Sequence, residues 1–297
     1  MNTLPSYVCG TGQQPLRFTT MGDLLREAAA SHGAHEALVA RHQEIRWTYA
    51  ELDREVDAFA AGLLALGLKR GERIGIWSPN NAQWVVTQFA AARAGLVLVN
   101  INPAYRLAEL EYALNKVECR ALVTASSFKS SNYLEMLRTL APELATCRPG
   151  ALAAAKLPHL RAVIAIDEGD HAGMLRFSDL APLATDDHRA ALAELQPLLQ
   201  PDDAVNIQFT SGTTGMPKGA TLTHFNVVNN GYFVGQAMQF TAADRLCIPV
   251  PLYHCFGMVM SVLTCVSHGA TMVFPSDAFE PRAVLEAVAA ERCTALH

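Results

Sequence analysis

An α/β fold of layered, largely parallel sheets with flanking helices is what this sequence predicts, on three observations. Strand-like and helix-like segments alternate over most of the chain, the pattern that places strands in parallel with helices on the sheet faces. Several of the helical segments carry recognisable start and stop residues. The 297 residues, 51% hydrophobic and 17% charged, suffice for a large core and two subdomains.

Thr48-Tyr49-Ala50-Glu51 has capping-box spacing, in which Thr48 and Glu51 satisfy orphan amides reciprocally. Behind it Leu52, Val56, Phe59, Leu63 and Leu66 recur at helical spacing, and Gly67 supplies the stop. Arg73–Trp77 reads as a buried strand. Pro79-Asn80-Asn81 turns the chain into a helix over Ala82–Ala94, and Gly95 ends it before a strand at Leu96–Asn100. The cycle repeats with a helix near Leu107–Val117, a strand at Ala121–Thr124 and a helix near Tyr133–Leu140. Residues 145–200 are less regular, with one strand at Ala162–Ile166. Alternation then resumes: strands at 204–209 and 219–223, helix 225–238, strand 246–250, helix 257–267, strand 270–274 and helix 281–290. The expected organisation is a first α/β subdomain over 1–160 with a short N-terminal extension, an irregular connector over 161–203, and a second α/β subdomain over 204–297. The final Cys-Thr-Ala-Leu-His297 reads as a strand beginning, so a longer parent chain is expected.

Composition narrows the function. Lys and Arg number 23 against 28 Asp and Glu, a net charge of −5 with no concentrated basic stretch, which argues against a nucleic-acid partner. Seven scattered cysteines without a C-x-x-C pair fit reduced thiols. The N-terminus shows no basic-then-apolar secretion signal. The longest apolar stretch, Phe256–Val266, is far shorter than the roughly 20 residues of a membrane span. A cytoplasmic protein acting on small molecules is expected.

The most informative segment is Ile207–His224. An apolar run feeds the turn Thr210-Ser-Gly-Thr-Thr-Gly-Met-Pro-Lys-Gly219, and a second apolar stretch follows. Both flanking strands are expected to be buried. The hydroxyls of Thr210, Ser211, Thr213 and Thr214 can replace water around phosphate oxygens. Gly212 and Gly215 let the backbone close on an anion, and Lys218 adds charge. The common P-loop, Gly-x-x-x-x-Gly-Lys-Ser/Thr, appears nowhere. A bland Ser/Thr/Gly connector is the competing reading, but such connectors seldom sit between two apolar strands.

These residues resemble the phosphate-loop signature of the adenylate-forming superfamily, which includes acyl-CoA synthetases, peptide-synthetase adenylation domains and luciferases. Trp47–Leu52, Ala94–Pro103 with Glu109-Leu-Glu-Tyr112, and Pro251-Leu-Tyr-His-Cys-Phe-Gly257 resemble further blocks of that family, so the likeness runs from about Phe18 to His297. The wording of Asn102–Arg106 and Pro251–Gly257 looks closest to medium-chain fatty-acyl-CoA ligases. The resemblance implies two steps. A carboxylate attacks the α-phosphorus of ATP, releasing pyrophosphate and giving an acyl-adenylate; the CoA thiol then displaces AMP. It implies ATP, Mg2+ and CoA, with Lys218 and His254 in catalytic positions and Thr210–Lys218 around the β- and γ-phosphates. It also implies that His254, Phe256 and Gly257 line the acyl site.

His254 has a plainer reading as a packed or helix-capping histidine, and Met258 and Met260 as plain core rather than a deformable acyl wall. A zinc site using Cys255 and Cys265 is disfavoured: ten residues along one helix separate them by roughly 15 Å. Cys255 beside His254 as a nucleophile–base pair is a weaker reading still. Residues 250–265 contain no Asp or Glu, so a substrate ammonium would lack a partner there, favouring an acid without an amino group. The family's Tyr-Gly-x-Thr-Glu block, its ribose-gripping Asp, its hinge and its late catalytic Lys do not occur in this sequence. The metal ligand therefore stays open, with Thr210 and Ser211 as candidates. The rival readings are an aryl or other carboxylic-acid CoA ligase and a non-catalytic binding module.

Overall fold

The computed structural model describes residues 12, 14–210 and 217–297. Met21–His32 (α1) starts where the Thr20 side chain accepts from the Asp23 amide. Glu36–Ala40 (β1) and Ile45–Thr48 (β2) form a hairpin. Tyr49–Ala65 (α2) begins on the expected capping box: the Thr48 amide donates to Glu51 Oε2 at 2.8 Å, and the Glu51 amide to Thr48 Oγ1 at 3.2 Å. Arg73–Trp77 (β3), Ala82–Arg93 (α3), Val97–Asn100 (β4), Leu107–Lys116 (α4) and Cys119–Thr124 (β5) continue the alternation. The short strands Ser127–Phe128 (β6) and Ser131–Asn132 (β7) precede Tyr133–Leu140 (α5). Then come Ala162–Ala165 (β8), Leu175–Arg176 (β9), Leu180–Leu183 (α6) and Asp186–Leu195 (α7). Ala204–Thr210 (β10), Lys218–Thr223 (β11), His224–Ala237 (α8) and Arg245–Cys247 (β12) follow. Cys255–Gly257 (α9) and Thr264–His268 (α10) flank a π-helical turn at Met258–Leu263, before Thr271–Phe274 (β13), Pro281–Ala290 (α11) and Ala295–Leu296 (β14).

Two larger sheets result. One has seven strands in the order β11-β10-β4-β3-β5-β8-β9, parallel except at β10–β11; the other has five, β14-β12-β13-β1-β2, parallel except at β1–β2. The largely parallel α/β class is as expected. Helix α3 lies at the centre of the layering: of its twelve residues only Gln83 is not buried. A helix apolar nearly all round belongs in a core interior. Its Trp84 and Phe89 share one cluster with Leu98 of the seven-stranded sheet and Leu38, Leu246 and Met272 of the five-stranded sheet. Arg93, fully buried at its end, is held by ion pairs to Asp53 and Asp57 of α2. A second core covers the far face of the seven-stranded sheet, where Trp77 stacks on Tyr133 with ring centroids 3.6 Å apart.

Four expectations change. The strands are shared across the expected boundaries at 160 and 204. β10 joins β4 of the first half, and β1 pairs in parallel with β13, for example Leu38 with Met272. A single core spanning both sheets is the physical reason, since it leaves no seam at which the halves part. The stretch 161–203 carries β8, β9, α6 and α7 rather than only irregular chain. The helix over 257–267 is interrupted by the π turn. And β11 is an exposed sheet edge, not a buried strand: Lys218, Gly219, Ala220 and Thr221 are all exposed.

Candidate active site

Parallel α/β sheets present ligand sites beyond the carboxyl ends of their strands, and here the carboxyl ends of both sheets are tied together. Asn80, just past β3 and 2% exposed, uses three groups. Its amide donates to the Asp277 carbonyl beyond β13 (2.9 Å), its Nδ2 donates to the Val250 carbonyl beyond β12 (2.9 Å), and its Oδ1 accepts from the Leu252 amide (2.8 Å). Asn100, the last residue of β4, donates Nδ2 to the Tyr253 carbonyl at 3.0 Å, while its Oδ1 accepts from Asn206 Nδ2 of β10 at 2.8 Å. Buried amides satisfied this fully fix geometry, because each lost partner would leave a desolvated polar atom. The segment carrying Tyr253 and His254 is thus clamped from the other sheet.

His254 sits exposed at the start of α9, with its Nδ1 accepting from the Phe256 amide at 3.2 Å. The plain capping role is real. It also has a consequence: with Nδ1 an acceptor, the neutral ring carries its proton on Nε2 and offers it as a donor. Cys255 Sγ lies 3.7 Å from the same Nδ1. Gly257 is buried and faces backbone, not an open pocket. A Cβ there would lie 2.4 Å from the Pro251 carbonyl oxygen and 2.8 Å from Leu252 Cα, so it shapes the site by letting α9 approach the clamped segment. Gly257→Ala in the full-length protein should cost about 1–3 kcal/mol of stability through overpacking, read as a lower denaturant midpoint; an unchanged midpoint would show that the segment yields freely.

Met258 is fully buried. Its sulfur receives Gln208 Nε2 and Asn100 Nδ2, each at 3.3 Å, and its carbonyl receives Gln88 Nε2 at 3.4 Å. The core reading of Met258 is therefore the observed one; Met260 is half-buried. Phe256, also half-buried, accepts from Ser261 Oγ at 2.9 Å five residues on, which fills the π turn. Such turns recur at functional sites.

The phosphate-type turn closes a hairpin. Thr210 pairs with Lys218 as the last register position of β10–β11, Thr210 Oγ1 donating to the Lys218 carbonyl at 3.4 Å. Tyr112 of α4 donates its hydroxyl to the Pro217 carbonyl at 3.3 Å, holding the exit from the turn. Ser211, Gly212, Thr213, Thr214 and Gly215 lie outside the described residues. Side chains two apart on a strand share a face, so Thr210 shares the face of Gln208, the one directed at Met258, whose amide donates to the His254 carbonyl. Thr210 and Lys218 are both exposed. Around Tyr105, burial, Glu109 and the neighbouring Tyr112 and Tyr253 push the phenol up from its ordinary value.

A cavity of about 270 Å³ opens between the two sets of strand ends, lined by Asn80, Asn102, Pro103, Phe128, Tyr253 and Phe279 among others. A larger one, about 530 Å³, lies against α1, α2 and α7, which contribute nothing to the strand ends; position at the strand ends, not size, selects the site. Among the described residues no group of three or more His, Cys, Asp or Glu is placed to hold a metal ion. Asn80, Asn206, Gln208 and the loop-holding role of Tyr112 were not singled out from sequence. For the three amides a signal was there: Asn206 and Gln208 interrupt an otherwise largely apolar strand, and Asn80 follows one.

A family model described as AMP-binding enzyme matches residues 25–297. Medium-chain acyl-CoA ligase ACSF2, mitochondrial, of Danio rerio is 46% identical over 291 residues, covering 97% of this chain and 48% of that protein. The Homo sapiens protein of the same name is 42% identical over 296 residues, covering 98% of this chain and 48% of its own. A long-chain-fatty-acid-CoA ligase from Archaeoglobus fulgidus superposes with TM-score 0.78 at 22% identity, over 98% of this chain and 54% of that one. The apo structure of MbtA from Mycobacterium smegmatis gives TM-score 0.77 at 29% identity, over 95% and 48%. The chain spans about half the length of the curated relatives it matches.

Proposed function

The chain belongs to the AMP-binding enzyme family, and on that premise we propose that it is the N-terminal part of an ATP-dependent acid–CoA ligase acting on a medium-chain fatty carboxylate. The carboxylate oxygen attacks the α-phosphorus, pyrophosphate leaves, and the CoA thiol then displaces AMP from the acyl-adenylate to give the thioester. The observation that carries the reading is the hairpin end at Thr210 and Lys218, on the strand face directed at Met258, one helical turn beyond His254. Both its exposed hydroxyl and its exposed ammonium suit an anion.

In this reading Thr210, Ser211, Gly212, Thr213, Thr214, Gly215 and Lys218 hold the β- and γ-phosphates, and the Lys218 charge follows the negative charge that builds on departing pyrophosphate. His254 Nε2–H donates to the carboxylate or phosphate oxygen at the junction of acid and nucleotide. Phe256 flanks the acyl site, and Gly257 sets its depth indirectly. Mg2+, when bound, neutralises phosphate charge, with the Thr210 and Ser211 hydroxyls as the contacts available in this part of the chain. The absence of acidic residues in 250–265 supports a fatty acid over an amino acid. No helix among the described residues is long and apolar enough to cross a membrane. The sequence reading favours the cytoplasm, the ACSF2 relatives are named mitochondrial, and fractionation of expressing cells decides between the two.

ATP–pyrophosphate exchange tests the proposal. The full-length protein is expected to exchange pyrophosphate in the presence of octanoate, and residues 1–297 alone to show none above background. Exchange with benzoates but not octanoate would replace the substrate class. Clear exchange by residues 1–297 alone would show that the adenylation site is complete without the rest of the chain.

A further inference from the structure

The edge strand of the five-stranded sheet brings one more side chain to the site. Half-buried His297 directly follows β14, and its amide donates to the Cys247 carbonyl of β12 at 3.2 Å. The ladder thereby sets it beside the strand end from which the His254 segment leaves. Its Nδ1 lies 2.8 Å from Ser261 Oγ in the π turn, and its ring centroid 5.0 Å from that of Phe256. Ser261 is fully buried, and its Oγ also lies 2.9 Å from the Phe256 carbonyl oxygen. A hydroxyl has one proton to give, and a carbonyl oxygen can only accept. The Ser261 proton therefore goes to Phe256, and the Ser261 oxygen accepts from Nδ1–H of His297. Burial pushes the His297 ring down from its ordinary value, which favours the neutral form. His254 has the opposite tautomer, because its Nδ1 accepts from the Phe256 amide. Phe256 is thus gripped at both of its peptide groups: at the amide by His254, and at the carbonyl by Ser261 with His297 behind it.

We propose that His297 is a positioning residue of the candidate active site: by fixing Ser261 it fixes the Phe256 peptide, and with it the angle at which His254 presents its Nε2–H. The role presupposes the acid-activation chemistry proposed above, and adds to that site a side chain delivered by β14. His297 takes no part in the bonds made and broken; it acts through Ser261. Without its Nδ1–H the buried Ser261 oxygen loses this donor, and a desolvated acceptor left unpaired drives the hydroxyl toward other partners. The Phe256 carbonyl then loses its side-chain anchor, and the His254 ring is held at the Phe256 amide by a peptide free to tilt.

ATP–pyrophosphate exchange by the full-length protein, with whichever acid the wild type activates best, tests this. His297→Ala is expected to lower kcat about 10–100-fold, the upper figure being what a misplacement of about 1 Å can cost, with KM for ATP unchanged. His297→Asn, whose side-chain amide can donate from near the Nδ1 position, should recover most of the rate. His297→Phe, which keeps a ring against Phe256 but has no donor, should not. Ser261→Ala should reproduce the loss, and adding His297→Ala to it should cost little more, because the two act on one path. Wild-type rates in His297→Ala, equal rates in the Asn and Phe variants, or additive losses in the double variant would overturn the assignment. So would a fall in melting temperature with full turnover in the folded fraction. Where the alanine variant fails to fold, the histidine 15N spectrum of the wild type decides, its signals assigned with His297→Asn: a neutral His297 is expected with its proton on Nδ1, and a proton on Nε2 instead overturns the assignment. A wild type that exchanges with no acid removes the acid-activation reading and this role with it; exchange indifferent to His297 removes this role alone.

Discussion

Replacing Lys218 by alanine in the full-length protein is expected to slow acyl-adenylate formation about 10²–10³-fold, the range for deleting one charge-stabilising donor, while the melting temperature hardly moves. The two halves of this expectation rest on different facts. Lys218 is exposed on an edge strand, so its removal creates no cavity and breaks no buried contact. Exposed substitutions of that kind stay within about 0.5 kcal/mol. The chemical half rests on position: Lys218 closes the hairpin opposite Thr210, at the carboxyl end of β10. In the proposed reaction, pyrophosphate leaving there would gain charge in the transition state, so the loss should fall mainly on kcat of exchange rather than on KM for the acid. Lys218→Arg should recover only part of the rate, because a guanidinium keeps the charge but not the compact geometry. A large drop in melting temperature with unchanged kinetics in the surviving folded fraction would make Lys218 a structural residue and remove the central support for acid activation.

How much of this was legible in the sequence depended on how local each signal was. The capping box at Thr48 and Glu51, the helices at Tyr133–Leu140 and Pro281–Ala290 and the stop at Gly67 are set by neighbours within one or two turns, and each sits where expected. β1 and β2 were not anticipated: β1 pairs locally with β2, but it enters the sheet through Met272 and Val273, more than 230 residues away. The π turn was hidden for a related reason. It follows from the close packing of Gly231 on α8 against Leu263, where a Cβ would lie 2.7 Å from the Leu263 Cβ, and from Ser261 reaching back to the Phe256 carbonyl. At the site, the sequence marked the hairpin turn and His254 but not what holds them. Asn80 and Asn100 act on Val250, Leu252 and Tyr253 across the two sheets, and no spacing rule connects residues 150 or more positions apart.

Acid should expose a weakness at a residue that no sequence argument marked. His224, the first residue of α8, is 1% exposed, and its Nδ1 accepts from the Met21 amide at 3.0 Å, tying α8 to the start of α1. Burial pushes it down from its ordinary 6.5 to about 4, although Asp203 and Asp23 pull the other way. The sign follows directly. Above pH 6.5 the ring is neutral folded or unfolded, and contributes no pH dependence. As pH falls below 6.5 the unfolded chain takes up a proton that the folded chain refuses, so stability declines until the folded ring also titrates near pH 4. Two and a half units at 1.36 kcal/mol each give a loss of about 3 kcal/mol across that window. Carboxylates titrate in the same range, so the measurement is a difference: denaturant unfolding of the wild type and of His224→Asn, which keeps an acceptor near the Nδ1 position but does not titrate. The wild type is expected to lose more stability than the variant between pH 6.5 and pH 4. Parallel stability curves would mean that His224 takes up its proton in the folded protein as readily as in the unfolded one, and that the Met21 contact does not depend on an unprotonated ring.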